Sequence, residues 1–268
     1  MADQEEPLLP TERHRRIQEL LDERQVVRVS SLSELLGVSE VTVRRDLEAL
    51  ERRGLVERIH GGAVGARRMR SEPRSPEAMT HPDEKRLIGR AAAALIEPGD
   101  TLFMNGGTTT LEVFRQLDAH NVKVVTNHVG IAIASVDRDV DVIMVGGHYR
   151  SLSNSLVGPF ATENLSRVNA SRTFIGAEGV SFRSGITTPS SVEADVAGLM
   201  IQRTRGEVVV VADHSKMGTV ANFVIAGLDL IDRLVTDAAI DPEYREGLVY
   251  AGVDVVIADE LAGARPEQ

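Results

Sequence analysis

The stretch Ser31-Leu32-Ser33-Glu34-Leu35-Leu36-Gly37-Val38-Ser39-Glu40-Val41-Thr42-Val43-Arg44-Arg45-Asp46-Leu47-Glu48-Ala49-Leu50-Glu51-Arg52-Arg53-Gly54 decides how the first part of the chain folds. Leucines at helical spacing predict a short helix from about Ser31 to Leu36, with Leu32, Leu35 and Leu36 facing inward. Gly37 supplies a tight turn, Val38 packs, and Ser39 stands where a hydroxyl would cap the next helix. In that helix, Glu40 to Arg53, Val43, Leu47 and Leu50 form one stripe at i, i+4, i+7. At about 100° per residue Thr42 and Arg45 face the opposite way, with Val41 and Arg52 nearby and Arg44 on the shoulder. Gly54 ends the helix. Upstream, Thr11 is expected to cap a first helix whose apolar face is Ile17, Leu20 and Leu21. Downstream, Leu55 to Gly62 alternates and then turns, the pattern of a small β wing.

Two helices joined by a glycine turn, the second presenting Thr and Arg from its first turns, have helix-turn-helix geometry. The major groove admits one helix. There Arg can hold guanine O6 and N7 together, and the Thr methyl can pack on a thymine methyl. Ser39, Arg44 and Arg58 are better placed for phosphates, which fix register rather than sequence. A three-helix scaffold with a solvated arginine face would share the bare pattern. The residues go further. Val38 to Leu47, Leu50 to Leu55 and Arg58-Ile59-His60-Gly61-Gly62-Ala63 closely resemble the winged helix of DeoR-family bacterial repressors, whose pattern is V-S-x-x-T-[IV]-R-R-D-L followed by an R-x-H-G-G-A wing. The resemblance covers residues 11–64 and implies binding of double-stranded operator DNA through Ser39, Val41, Thr42, Arg44, Arg45, Arg58 and His60.

The rest of the chain has another character. Of 268 residues, 42% are hydrophobic and 26% charged, enough for a true core and about right for two domains. The net charge is −10, yet residues 1–75 hold 14 basic and 14 acidic residues, and the remainder 16 against 26. Without Met1 to Pro10 the first part becomes +3, so the acidity belongs to the second. Absence of cysteine excludes disulfides, iron–sulfur clusters, cysteine-ligated zinc and a thiol nucleophile. No stretch reads as a signal peptide or membrane span, which gives the expectation of a cytoplasmic, nucleoid-associated protein. Aromatics at 3%, with no Trp, argue against a stacking platform for single strands.

Gly65 to Pro76, with two prolines and four arginines, reads as a linker that extends toward Pro82. The expected division is therefore a DNA-binding domain at 1–64, a linker at 65–80 and an effector domain at 81–268. After the linker, β-branched runs at 101–104, 122–126, 140–145, 172–175, 208–212, 233–236 and 253–257 alternate with helical spacings such as Val192, Val196, Leu199 and Met200. That alternation predicts an α/β, Rossmann-like domain with a mostly parallel, doubly wound sheet.

Five strand ends are polar or glycine-rich: Asn105-Gly106-Gly107-Thr108-Thr109-Thr110, Thr126-Asn127-His128, Gly146-Gly147-His148-Tyr149-Arg150, Gly176-Ala177-Glu178-Gly179 and Asp213-His214-Ser215-Lys216. Ligands of open α/β sheets gather outside the carboxyl ends of strands. The glycine pair running into hydroxyls and a helix start suits an anion, although a plain β–α turn has similar residues. It is neither a Walker A loop nor G-x-G-x-x-G. His128, His148 and His214 follow different strands, so hydrogen bonding is a better reading than a metal site, and no cofactor is expected. Glu193 at a helix start and Lys216 in a turn also have plain structural explanations.

Over roughly residues 81–260 the chain resembles the DeoR-family effector domain, through its G-T-T loop, T-N, V-G-G, F-I-G-A-E-G-V, G-I-T, E-A-D-V and A-D-x-S-K-x-G pieces. The resemblance implies a fold related to ribose-5-phosphate isomerase and glucosamine-6-phosphate deaminase, and sensing of phosphorylated sugars or their relatives. It implies that Gly107, Thr108 and Thr109 cradle the phosphate and that Lys216 contacts the ligand. The wider candidate set adds Asn105, Gly106, Thr126, Asn127, His128, Gly147, Arg150, Glu178, Glu193 and Asp213. Two positions depart from the family habit, Asn105 for Asp and Ala197 for Lys, both expected near the crevice. The resulting expectation is a repressor of a carbohydrate catabolism operon, not an enzyme, acting as a homodimer or homotetramer because one winged helix makes few base contacts. The alternative is a sugar-phosphate isomerase or deaminase with a DNA-binding appendage, which would need Glu193 or Asp213 as a base.

Overall fold

The computed structural model describes residues 9–24, 26–59, 61–65, 80–136 and 138–258. His60, most of the expected linker and both chain ends lie outside them.

The first unit runs α1 (Pro10–Arg24), β1 (Val26–Arg28), α2 (Val29–Leu36), α3 (Glu40–Arg52), β2 (Val56–Ile59) and β3 (Gly62–Gly65). Ile17, Leu32, Val43, Leu47 and Leu50 are wholly buried and form its core. Gly37 closes α2 at φ 64°, a left-handed turn that a side chain resists. Two local expectations fail. Helix α1 starts at Pro10, whose missing N–H suits a first turn, so Thr11 lies inside the helix rather than capping it. Leu35 is 57% exposed, because α2 begins at Val29 and the buried Val29, Leu32 and Leu36 centre the stripe about 100° away from it.

The wing is an antiparallel sheet in the order β1-β3-β2, with Val26 opposite Val64 and Val27 opposite Ala63. Alternation sends the two pairs to opposite faces. Val27 and Ala63 join the helical core, whereas Val26 and Val64 join the core of the second unit. The winged helix therefore sits on the larger domain through its own sheet.

That domain begins with α4 (Pro82–Ala93), β4 (Thr101–Met104), α5 (Thr108–Arg115), β5 (Lys123–Thr126), α6 (Val129–Ala134) and β6 (Asp141–Met144). A ribbon, β7 (His148–Arg150) and β8 (Ser155–Val157), leads into α7 (Pro159–Leu165) and β9 (Ala170–Gly176). Then follow β10 (Gly179–Ser181), β11 (Gly185–Thr188), α8 (Ser191–Gln202), β12 (Thr204–Val211), a 3-10 turn (His214–Lys216) and β13 (Phe223–Ala226). A second 3-10 turn (Leu228–Leu230), β14 (Arg233–Thr236), α9 (Pro242–Tyr250) and β15 (Asp254–Ile257) complete it. The seven strands expected from the sequence make one wholly parallel sheet, β15-β14-β12-β9-β4-β5-β6.

Both faces are covered, as parallel strands require. Leu102 and Met104 pack toward α4, α5 and α6, while Phe103 between them packs toward α7, α8 and α9. Chain order reverses between β4 and β9, which puts the switch-point crevice at their carboxyl ends. Ala197 is buried in the α8 side of the core, so that position faces apolar packing rather than the crevice.

Candidate functional site

The outward stripe of α3 is as the spacing foresaw. Ser39 accepts the Thr42 N–H, and the two hydroxyls lie 3.0 Å apart. A cap of this kind is worth about 1 kcal/mol and fixes where the helix starts. Val41 is 59% exposed, a bare apolar side chain beside Arg45. The exposed Arg45 guanidinium has no hydrogen bond or ion pair among the described residues. Arg44 is held by Glu40 at 2.8 Å and Arg58 by Glu48 at 3.1 Å, both as exposed pairs. Exposed pairs contribute about 0–1 kcal/mol and yield readily to a phosphate.

Asp46, in the middle of the motif, serves the scaffold. It is buried and accepts from Arg13 at 2.7 and 3.1 Å, with His14 Nε2 at 3.0 Å. This cluster fastens α1 to the groove-facing helix. Nothing in helical periodicity marks it, since the partners lie some thirty residues upstream; the only signal is a carboxylate one turn from an apolar stripe.

The five polar strand ends do gather on one side of the parallel sheet, and the structure sorts their residues by role. Asn105 bridges the switch point, donating to the Gly176 carbonyl at 3.0 Å and accepting its N–H at 2.8 Å. Thr110 ties the glycine loop by donating to the Asn105 and Gly107 carbonyls. Gly106 lies against Ser155, whose Cβ would be 2.9 Å from an added methyl. Thr108 is exposed at the start of α5, while Thr109 is buried. The first-turn amides of a helix have no partners within it, so this mouth suits an anion.

Thr126 is buried, donating to the Met104 carbonyl and accepting the His128 N–H. Asn127 donates to the Leu156 carbonyl, and its buried Oδ1 has no partner among the described residues. His128 caps α6 by accepting the Gly130 N–H at Nδ1, and it also bonds to the Gly107 backbone. Burial lowers its pKa from 6.5 to about 4, so the ring is neutral and ties β5 to the glycine loop. Gly147 has φ 116°, and an added Cβ would stand 2.6 Å from the Val157 carbonyl. Its glycine is needed for packing.

Two ion pairs join residues of the strand ends. Arg150 Nε faces Glu193 at 3.3 Å, and Glu193 also accepts from Thr188. Lys216, only 4% exposed, reaches Glu178 at 2.9 Å. Asp213 is fully buried and accepts the Ser215 N–H and hydroxyl. Burial pushes its carboxyl up, but Ser215 and the charges of Lys216, Lys85 and His81 outweigh this and hold it below the usual carboxylate range. Glu193 and Asp213 are thus carboxylates engaged by cations and hydroxyls. A sixth strand end was missed. Asp237, just after β14, accepts from the His214 backbone and lies 2.8 Å from His214 Nδ1. Its position after a β-branched run was the available signal. His148 lies at the start of the β7 ribbon, opposite Val157 of β8.

The segment from Asp213 to Gly218 also reaches both ends of the connection between the units. Asp213 lies 3.9 Å from Lys85, which donates to the Thr80 carbonyl at 2.6 Å. Gly218 lies against the Gly65 carbonyl and the Tyr244 ring, where an added Cβ would stand at 3.7 and 3.8 Å. On the facing surface Arg28 of β1 pairs with Glu243 and Glu246 of α9.

The DeoR-like helix-turn-helix domain model matches residues 13–68, and the DeoR C terminal sensor domain model matches 80–238. Among curated proteins, the HTH-type transcriptional regulator GlpR of Haloferax volcanii is 39% identical over 251 residues, 93% of this chain and 98% of that protein. The putative aga operon transcriptional repressor of Escherichia coli O157:H7 is 32% identical over 255 residues, 93% of this chain and 94% of that one. Ribose 5-phosphate isomerase A of Methanocaldococcus jannaschii is a structural neighbour at TM-score 0.38 and 14% identity, covering 52% of this chain and 55% of that one. Exposed arginines on a capped helix, joined to a polar strand-end crevice and matched by both family models, make the chain a member of the DeoR family of DNA-binding transcriptional regulators.

Proposed function

We propose that the chain is a repressor of a carbohydrate operon that leaves its operator when a phosphorylated sugar or related metabolite enters the strand-end crevice. The relative named as a putative aga operon transcriptional repressor supports the repressor part of this reading. In it, residues 1–64 read DNA, 65–80 connect, and 81–268 sense. Arg45, Thr42 and Val41 meet base edges; Ser39, Arg44, Arg58 and His60 meet phosphates. Thr108, Gly107 and the α5 amides take the phosphate, with Lys216 and Arg150 as the cations nearby. Asn105, Gly106, Thr126, His128 and Gly147 act by holding the cradle's shape, while Asn127, Thr109, Glu178, Glu193 and Asp213 line or order it. The protein works as a homodimer or homotetramer on repeated half-sites, in the cytoplasm at the nucleoid.

The observation that carries this reading is the course of Asp213 to Gly218. One short segment holds Lys216 in the crevice and touches both Thr80, through Lys85, and Gly65. A phosphate competing with Glu178 for Lys216 shifts that segment, and with it the seating of the winged helix. Differential affinity for the two seatings is what couples the sites.

A thermal-shift screen of sugar phosphates tests it, since a ligand of the native state raises apparent stability. At least one phosphorylated sugar is expected to raise the midpoint and release operator DNA. Lys216→Ala is expected to need at least about tenfold more of it, the loss of one charge-assisted contact. Normal release by that variant contradicts the proposed pocket.

A further inference from the structure

An open cleft of about 750 Å³ lies where the winged helix meets the sensor domain, and none of the residues lining it is a strand-end candidate. Its walls are Arg52 and Arg53 at the end of α3, Arg58 of the wing, and Phe182 and Arg183 from the turn between β10 and β11; Glu51 is its acidic member. Arg52, Arg53 and Arg183 are exposed, and their guanidinium groups have no ion pair or hydrogen bond among the described residues. Among the described residues, Arg58 pairs with the exposed Glu48. Four guanidinium groups face two carboxylates there among the described residues, a local positive surplus in a chain of net charge −10.

The cleft continues the α3 stripe. Arg52 follows Arg45 by seven residues, so it shares that face about 10 Å further along the axis. Arg183 is presented by an anchored turn. The Phe182 ring lies 4.6 Å from the Tyr244 ring, and a Cβ on Gly247 of α9 would come within 2.8 Å of it. Tyr244 donates to the Val180 carbonyl at 2.7 Å, and Ser181 Oγ accepts the Ser184 N–H inside the turn. Helix α9 also holds Arg28 of the winged helix through Glu243 and Glu246. The same helix thus seats both walls of the cleft.

We propose that this cleft is a phosphodiester-binding site, and that the sensor domain itself grips operator DNA through Arg183 beside the recognition helix. An open, solvent-facing row of arginines fits an extended polyanion better than an enclosed metabolite. The inference rests on DNA binding by α3 and adds to it a contact from outside the winged helix. Because Arg183 belongs to the sensor, any reseating of the winged helix takes it off the backbone, so release acts on phosphate contacts as well as on base reading.

The test is operator binding by the full chain at several salt concentrations. Each phosphate neutralised on duplex DNA contributes about 0.9 to the slope of log affinity against log salt. Arg183→Ala is therefore expected to lower that slope by about 0.9 per bound protomer, so that the loss of affinity between about 50 and about 200 mM salt shrinks roughly 3.5-fold. The ratio of specific to nonspecific binding is expected to stay unchanged, and Arg183→Lys to restore the slope. Arg45→Ala serves as the contrast, losing sequence preference while keeping the Arg183 contribution. An unchanged slope in Arg183→Ala, with Arg45→Ala still losing preference, overturns the cleft assignment and leaves the recognition helix standing. Loss of base discrimination in Arg183→Ala overturns it too. So does an effect of Arg183→Ala confined to the response to inorganic phosphate, which assigns the cleft to a free anion.

Discussion

The DNA-reading helix and the strand-end crevice are both polar, yet they are built in opposite ways. On α3 the important side chains come from one contiguous stretch, point into solvent, and are unpaired or paired only with exposed carboxylates. In the crevice they come from six strand ends, are mostly buried, and many are tied to other groups of the fold: Asn105 with Gly176, Thr126 with Met104, Lys216 with Glu178. Asn127 Oδ1 and Asp213 Oδ2 are buried with no hydrogen-bond partner among the described residues. A surface that must meet a long polyanion keeps its donors available. Buried polar groups at the strand ends are mostly held by the fold, since an unpaired buried polar group costs about 1–3 kcal/mol. In the proposed function, ligand entry at the second site is an exchange of partners.

This contrast can be broken from its scaffold side first. Asp46→Ala removes the carboxylate from the buried ion pair with Arg13 and is expected to cost about 3–5 kcal/mol, the usual penalty for removing one member of such a pair. Chemical denaturation should show that loss in the winged helix, with α1 freed from α3; a change under about 1 kcal/mol would sink the scaffold role of Asp46.

On the crevice side, His128 resists protonation down to about pH 4, whereas an unfolded chain protonates it near 6.5. Between those values the unfolded state holds the extra proton, so stability falls as pH falls through that window. The full difference is about 3 kcal/mol at about 1.36 kcal/mol per pKa unit. His128→Asn, which keeps an acceptor for the Gly130 N–H, is expected to flatten that stretch of the stability–pH curve relative to the parent protein. Parallel curves for the two proteins would rule out a neutral, buried His128.

The smallest of the three effects belongs to the exposed side. Arg45→Ala is expected to lose about 1–3 kcal/mol of specific operator affinity per half-site while the thermal midpoint stays put. Retained specificity in a mobility shift at fixed salt would remove Arg45 from base reading.

Legibility followed the same contrast. The stripe of Val43, Leu47 and Leu50, its outward Arg45 and the cap at Ser39 are local, and periodicity alone yields them. So are the seven β-branched runs, each found within a few residues of its strand. What periodicity could not yield is long-range. Short strands such as β1 and β10 exist because a distant partner pairs with them, and Val26 faces another domain because of where the wing docks. Leu35 was misplaced because the helix was started two residues late. In the crevice, residue type located the strand ends but could not say which polar groups are spent on the fold. Asn105, expected as a ligand contact, also clamps the switch point, which residue type alone did not show; Ala197 looked like a crevice position and lies in the core.

The central claim is that the crevice and the recognition helix are coupled, and coupling is reciprocal. The direct measurement is the affinity of the full chain for the sugar phosphate giving the largest thermal shift, taken by calorimetry with and without saturating operator duplex. The account expects operator DNA to weaken that binding by the same factor, about 5- to 150-fold, by which the sugar phosphate weakens operator binding. Equal affinity for the sugar phosphate in the free and operator-bound protein would contradict it.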